Sequence, residues 1–212
     1  RHYLVPGKQH FKAQDSKVEG DWSQAAFWTV GGALGAGITA NGVDFTSLQG
    51  DKAVVEIMQR MGTDIVKNAD SVTVNSGATQ ATVIDASNCP DIIPVLTVLA
   101  AVSEGTTKII NAGRLRIKEC DRLAAMTSEL NKMGAAITEE PEGLTITGKP
   151  EGLRGGVEVD AWNDHRIAMS LAIAAQCCAE PITLTGAGSV SKSYPDFWED
   201  YKSVGGKIEV LA

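Results

Sequence analysis

Three segments of the chain open near an acidic residue and continue as apolar sequence. They are "GDWSQAAFWTVGGAL" from Gly20, "CPDIIPVLTVLAAVS" from Cys89 and "NDHRIAMSLAIAAQCCA" from Asn163. Each leads to a short strand-like stretch ending in a turn, "GITANGVD", "TKIINAG" or "ITLTGAG". An amphipathic segment ending in glycine follows: "DKAVVEIMQRMG", "ECDRLAAMTSELNKMG" or "PDFWEDYKSVGG". A further strand-like stretch closes each unit: "TDIVKN", "AAITEE" or "KIEVL". Asp21, Asp91 and Asp164 mark one phase of the repeat, and Gly62, Gly134 and Gly205 mark a second phase with nearly the same spacing. Two markers in register across three copies constrain the fold strongly.

The first helix of each unit is apolar all round, which requires burial on every side. The second carries an apolar stripe at helical spacing, as at Ala53, Ile57 and Met61 or Leu123, Met126 and Leu130. Units this small cannot bury such helices singly. The pattern therefore predicts an α/β domain in which three repeats pack their inner helices together and sheets cover the outside. The repeats are expected over about 19–75, 76–150 and 151–212. Residues 1–18 fall outside the pattern and read as the tail and linker of another domain.

The formal charge of −7 argues against broad binding to nucleic acid, which needs a basic face. No apolar run reaches the length of roughly 18 residues that a membrane span needs. The start, "RHYLVPGKQHF", lacks the apolar core of a signal peptide. Cys89, Cys120, Cys177 and Cys178 have no CxxC spacing, and His2, His10 and His165 form no ligand motif. Buried free thiols, no structural metal, no cofactor and a cytoplasmic protein are the expectations.

Against that acidic background, "NAGRLRIKECDRLAAM" places Arg114, Arg116, Lys118 and Arg122 within nine positions. Lys118 and Arg122 are read as sharing one face at a helix start, where the positive helix end favours an anion. The alternative is a solvated surface pair with Glu119 and Asp121. Arg116 either braces a strand or pairs with Glu119. Arg166 lies in the first turn of a buried helix and needs an anion or a carboxylate such as Asp164 to meet its fork. Asp91 opens another inner helix, where a negative charge is favoured by the dipole alone. Lys192 stands in "VSKSYPDF", between a strand and a helix.

The motifs "VEGDWSQAA", "QGDK", "PD", "LRIKECDRL", "NDHRIAM" and "KSYPDFWED" resemble the C-terminal half of the 5-enolpyruvylshikimate-3-phosphate synthase family. The resemblance implies half of a two-domain enolpyruvyl transferase, each domain built from three βαβαββ units. It implies transfer of the enolpyruvyl group of phosphoenolpyruvate to the 5-hydroxyl of shikimate 3-phosphate, with release of phosphate. It also implies a cleft shared with an N-terminal domain, so that this chain alone is inactive. By the same resemblance Asp91 is base or orienter at the 5-hydroxyl and touches shikimate 3-phosphate with Lys118. Arg122, Arg166 and Lys192 hold phosphoenolpyruvate, Glu119 is the candidate acid or base at its C3, and His165 lies near the same substrate. Arg114 stands where some members have an asparagine contacting shikimate. The sister UDP-N-acetylglucosamine enolpyruvyl transferases share the fold and match these motifs less well. A noncatalytic anion-binding module of the same fold is the reading of a different class. If Arg122 and Arg166 face only a substrate anion, they repel in its absence, and Arg122→Gln should leave the free chain as stable or more so.

Overall fold

The computed structural model describes residues 2–211. Residues 2–19 are exposed and form neither helix nor strand. The first repeat then runs α1 (Trp22–Leu34), β1 (Ile38–Asn41), α2 (Ala53–Arg60), β2 (Ile65–Lys67) and β3 (Ser71–Val74). The second runs β4 (Val83–Asp85), α3 (Ile93–Ala101), β5 (Thr106–Ile110), α4 (Arg122–Lys132), β6 (Ala136–Glu140) and β7 (Gly143–Thr147). The third contributes β8 (Glu158–Asp160), α5 (His165–Ala174), β9 (Thr183–Thr185) and α6 (Phe197–Ser203).

The inner helices are α1, α3 and α5, and they pack against one another. All nine residues of α3 and all ten of α5 are buried, as their largely apolar sequence requires, with His165, Arg166 and Ser170 of α5 buried among them. Three sheets, ordered β1-β3-β2, β4-β5-β7-β6 and β8-β9, surround them. Their strands alternate: Thr107 and Ile109 of β5, and Leu144 and Ile146 of β7, point inward. On the outer helices Leu123, Met126 and Leu130 are buried, as the stripe on α4 predicts.

The repeats differ in completeness. The second has the whole βαβαββ order, whereas the first lacks an opening strand and the third lacks the closing pair among the described residues. The strand expected at "KIEVL" is not formed: residues 207–211 are irregular. The second repeat supplies the reason. There β6 bonds only to β7, and β7 bonds to β5, so the closing strand joins its sheet only through a hairpin partner. No counterpart of β7 stands beside residues 207–211 among the described residues.

Each inner helix presents its N-terminus to the same region. Asp21 caps α1 through Ser23 N at 2.8 Å, and Asp164 caps α5 through Arg166 N at 2.8 Å. A 3-10 turn, Pro90–Ile92, leads into α3 and presents Asp91. A second such turn, Ala187–Lys192, carries Lys192 and is followed by an aromatic cluster. There Phe197 lies among Trp28, Tyr194, Trp198 and Tyr201, and the Trp28 indole donates to Tyr194 Oη at 3.2 Å.

Candidate active site

Asp91 is the point where the repeats meet. Its Oδ1 accepts Arg122 Nη1 at 2.8 Å and Lys118 Nζ at 3.1 Å, and Arg166 Nε lies 3.8 Å away. No hydrogen bond reaches Oδ2 among the described residues, and the side chain is 28% exposed. Burial alone would raise the Asp91 pKa, but Arg166, Lys118 and Arg122 outweigh it and hold the carboxyl below its ordinary value. Arg166 also donates to Ser23 Oγ at 2.9 Å and to the Asp91 carbonyl at 3.3 Å. Side chains from α1, the turn before α3, α4 and α5 thus converge on one spot.

Arg122 overturns the expectation of a cation waiting for its anion. Its side chain is 1% exposed, and its fork is engaged on several sides. Nε donates to Asp164 Oδ2 at 2.8 Å, Nη1 to Asp91, and Nη2 to Glu119 Oε2 at 2.6 Å and to Asp164 Oδ1 at 3.3 Å. Asp164 is 0% exposed, so one buried carboxylate both caps α5 and neutralises Arg122. Burial disfavours the Asp164 anion, yet the Arg122 contact dominates and keeps its pKa low. The like charges of Arg122 and Arg166 are therefore compensated within the chain, not left to repel.

A second correction concerns Lys118. It does not lie on the helix of Arg122: it is extended after the 3-10 turn Gly113–Ile117, and α4 begins at Arg122 under the Asp121 cap. The two cations still meet, because the bend at 118–121 folds Lys118 back onto Asp91. Arg116 braces the outer sheet, donating to Glu139, Asp121 and the carbonyls of Glu140 and Pro141. Arg114 is exposed and, among the described residues, donates only to the Ser87 carbonyl, at 3.4 Å.

Glu119 is 41% exposed at the site's edge. His165 Nδ1 lies 4.0 Å from Glu119 Oε1 and has no hydrogen-bond partner. Burial and the neighbouring Arg166 lower the His165 pKa, so the ring is neutral at pH 7. Lys192 donates to both the carbonyl and the side-chain oxygen of Asn163, the latter at 2.8 Å.

Two carboxylates escaped the sequence reading of the site. Asp164 appeared only as a repeat marker and as a possible partner of Arg166, not of Arg122. Asp51, in "QGDK", has a buried Oδ1 without a hydrogen-bond partner, and its pKa is pushed up to about 6. Burial is the main cause and Asp91 the next, with Arg166 and Lys118 opposing. The signal was Gly50: a Cβ there would overlap the Asn88 carbonyl oxygen, so the "QGD" turn is pressed against the turn that carries Asp91. All four cysteines are free, and burial raises the Cys120 thiol to about 12 beside Asp164.

Inner helices wrapped by sheets, with arginines and carboxylates at converging helix N-termini, form the fold of the enolpyruvyl transferases. An EPSP synthase structure from Acinetobacter baumannii matches with a TM-score of 0.84 at 31% identity, over 92% of this chain and 48% of that one. The enolpyruvyl transferase NikO from Streptomyces tendae shares the fold with a TM-score of 0.75 at 24% identity, over 91% of this chain and 44% of that one. The family model for EPSP synthase (3-phosphoshikimate 1-carboxyvinyltransferase) matches residues 1–201, and the chain belongs to that family. The 3-phosphoshikimate 1-carboxyvinyltransferase of Clostridium kluyveri is 54% identical over 209 residues, covering 99% of this chain and 49% of the relative. That of Clostridium beijerinckii is 55% identical over 209 residues, covering 98% and 48%. The chain spans about half the length of the curated relatives it matches. Among the described residues no helix is long and apolar enough to cross a membrane.

Proposed function

We propose that this chain supplies one wall of a site that transfers the enolpyruvyl group of phosphoenolpyruvate to the 5-hydroxyl of shikimate 3-phosphate, releasing phosphate. The observation that carries this reading is Asp91: three cations gather on Oδ1 of a side chain that is still 28% exposed, in a chain of this family. The remaining substrate contacts come from a second domain of the whole protein, which works in the cytoplasm.

Both substrates are anions, so fixed cations and helix N-termini bind them. Arg122, Arg166 and Lys192 take the phosphate and carboxylate of phosphoenolpyruvate. Lys118 takes shikimate 3-phosphate, with Arg114 at the rim. As the anions engage these cations, their hold on Asp91 weakens and its basicity rises toward the value that proton abstraction needs. Asp91 Oδ2 then receives the proton of the 5-hydroxyl while the hydroxyl oxygen bonds to C2 of phosphoenolpyruvate and C3 gains a proton. In the second half C3 loses a proton, the bond from C2 to the phosphate oxygen breaks, and phosphate departs. Glu119 serves C3, and neutral His165 stands behind it at 4.0 Å.

Phosphate release by the full-length protein from the two substrates tests the reading. Asp91→Ala should fold normally and lower kcat by about 10²–10⁴-fold, the usual contribution of a general base, with a smaller effect on shikimate 3-phosphate affinity. An unchanged kcat would reduce Asp91 to a helix-end charge. Robust turnover by residues 1–212 alone would remove the need for a second wall.

A further inference from the structure

Glu129 lies on α4, an outer amphipathic helix, yet its side chain is only 2% exposed. A buried carboxylate needs donors, and this one has four. Oε1 accepts the Trp162 indole N–H at 3.0 Å and the Ser128 hydroxyl at 3.0 Å. Oε2 accepts Asp160 N at 3.0 Å and Lys132 Nζ at 2.7 Å. Burial would raise its pKa, but these donors outweigh burial and lower it. Two of them, Asp160 N at the end of β8 and the Trp162 indole, lie where the chain turns from β8 toward α5.

That connection is strained. Trp162 and Asn163 both have φ of +52°, consecutive left-handed residues neither of which is glycine. Such a conformation is costly for a residue with a side chain and persists only where the surroundings hold it. Asp160 Oδ1 accepts Trp162 N at 2.6 Å, and Glu129 grips both sides of this turn. Its product is the orientation of Asn163, which turns two oxygens onto Lys192 Nζ. Among the described residues Lys192 has no carboxylate partner within 4.0 Å, unlike Lys118, Arg122 and Arg166, so its place depends on neutral oxygens and hence on the turn.

We propose that Glu129 is a positioning residue that fixes the Lys192 ammonium group in the phosphoenolpyruvate site by holding residues 160–163 in their left-handed turn. The proposal rests on the reading of Lys192 given above. Its tests are made in the full-length protein. Glu129→Gln keeps the shape and loses an acceptor, and Trp162→Phe keeps an aromatic side chain, though a smaller one, and loses one donor, a milder change should the first fail to fold.

Each should raise KM for phosphoenolpyruvate, Glu129→Gln by about tenfold, equivalent to about 1.4 kcal/mol, and leave KM for shikimate 3-phosphate unchanged. In a Lys192→Gln background neither should raise it further, because the effect travels through Lys192. Additive effects, or equal rises in both KM values with a lower Tm, would overturn the proposal as mere destabilisation. A wild-type KM in Lys192→Gln would overturn both this inference and the Lys192 assignment. Absence of turnover in the unmutated full-length protein would instead overturn the proposed function. The link itself is then read from a crystal structure of Glu129→Gln: Asn163 leaving the left-handed region and releasing Lys192 supports it, and an unmoved turn sinks it.

Discussion

Arg122 and Lys192 bring positive charge to the same face by opposite means. Arg122 is buried, bonded to Asp91, Glu119 and Asp164, and tied to elements from two repeats. Lys192 is exposed, sits on a 3-10 turn and is held by the oxygens of one asparagine. A cation neutralised inside the chain is a structural part whatever else it binds, because its carboxylates have nowhere else to turn. A cation held by neutral dipoles can leave its place at little cost to the fold. Residues that the family motifs put side by side as phosphoenolpyruvate ligands therefore differ sharply in what their loss should do.

Arg122→Gln separates the two most forcefully. It leaves Asp164 buried with its cap but without its countercharge, and breaking one partner from a buried pair typically costs roughly 3–5 kcal/mol. Thermal melts of the chain should show that loss before any substrate is added. A melt equal to that of the unmutated chain would erase the distinction and restore the picture of a cation that waits for its anion.

Asp51 sharpens the comparison from the opposite sign, as a carboxylate short of partners. Its folded pKa of about 6 stands above the ordinary 3.8. Between those values the folded chain holds a proton that the unfolded chain has released, so stability falls as pH rises and the penalty is complete above about pH 6. Asp51→Asn should raise Tm by a few degrees at pH 7.5, and the advantage should shrink as pH drops from 6 to 4. A gain independent of pH would show that packing, not charge, is responsible.

The smallest expected effect is on the exposed side. Lys192→Gln should leave stability within about 0.5 kcal/mol, as for most surface substitutions, while weakening phosphoenolpyruvate in the full-length protein. A Tm loss as large as that of Arg122→Gln would end the contrast.

The inner helices were legible because nothing but complete burial suits a sequence such as "IPVLTVLAA", and repetition in phase multiplied the signal. Asp91, Glu119, Arg122 and Arg166 were legible as a group through three short motifs, "PD", "LRIKECDRL" and "NDHRIAM". What they touch was not. Arg122 is neutralised by Asp164, 42 residues later, and no local pattern announces a contact of that range. Lys118 was misplaced because spacing of four suggests a helix face, whereas the Asp121 cap starts the helix after it. Glu129 was invisible for a related reason: a glutamate on an amphipathic helix reads as solvent-facing, and only the turn at Trp162 explains why it is not. The strand at 207–211 failed because its local pattern was sufficient but no pairing partner stands beside it among the described residues.

The convergence of repeats on Asp91 bears on the order in which the chain can become competent. Arg166 reaches back 143 positions to Ser23 and 75 to Asp91, and these are closures whose entropy must be met before their contacts help. A chain with only two repeats docked would hold Arg122 against Asp91 and Glu119 but lack Asp164. The charge cluster around Asp91 would be misassembled even though most of its core was formed. On the proposed reading, affinity for phosphoenolpyruvate would report completion of the whole domain, and the ligand would act as a selective stabiliser of the finished state over every partial one.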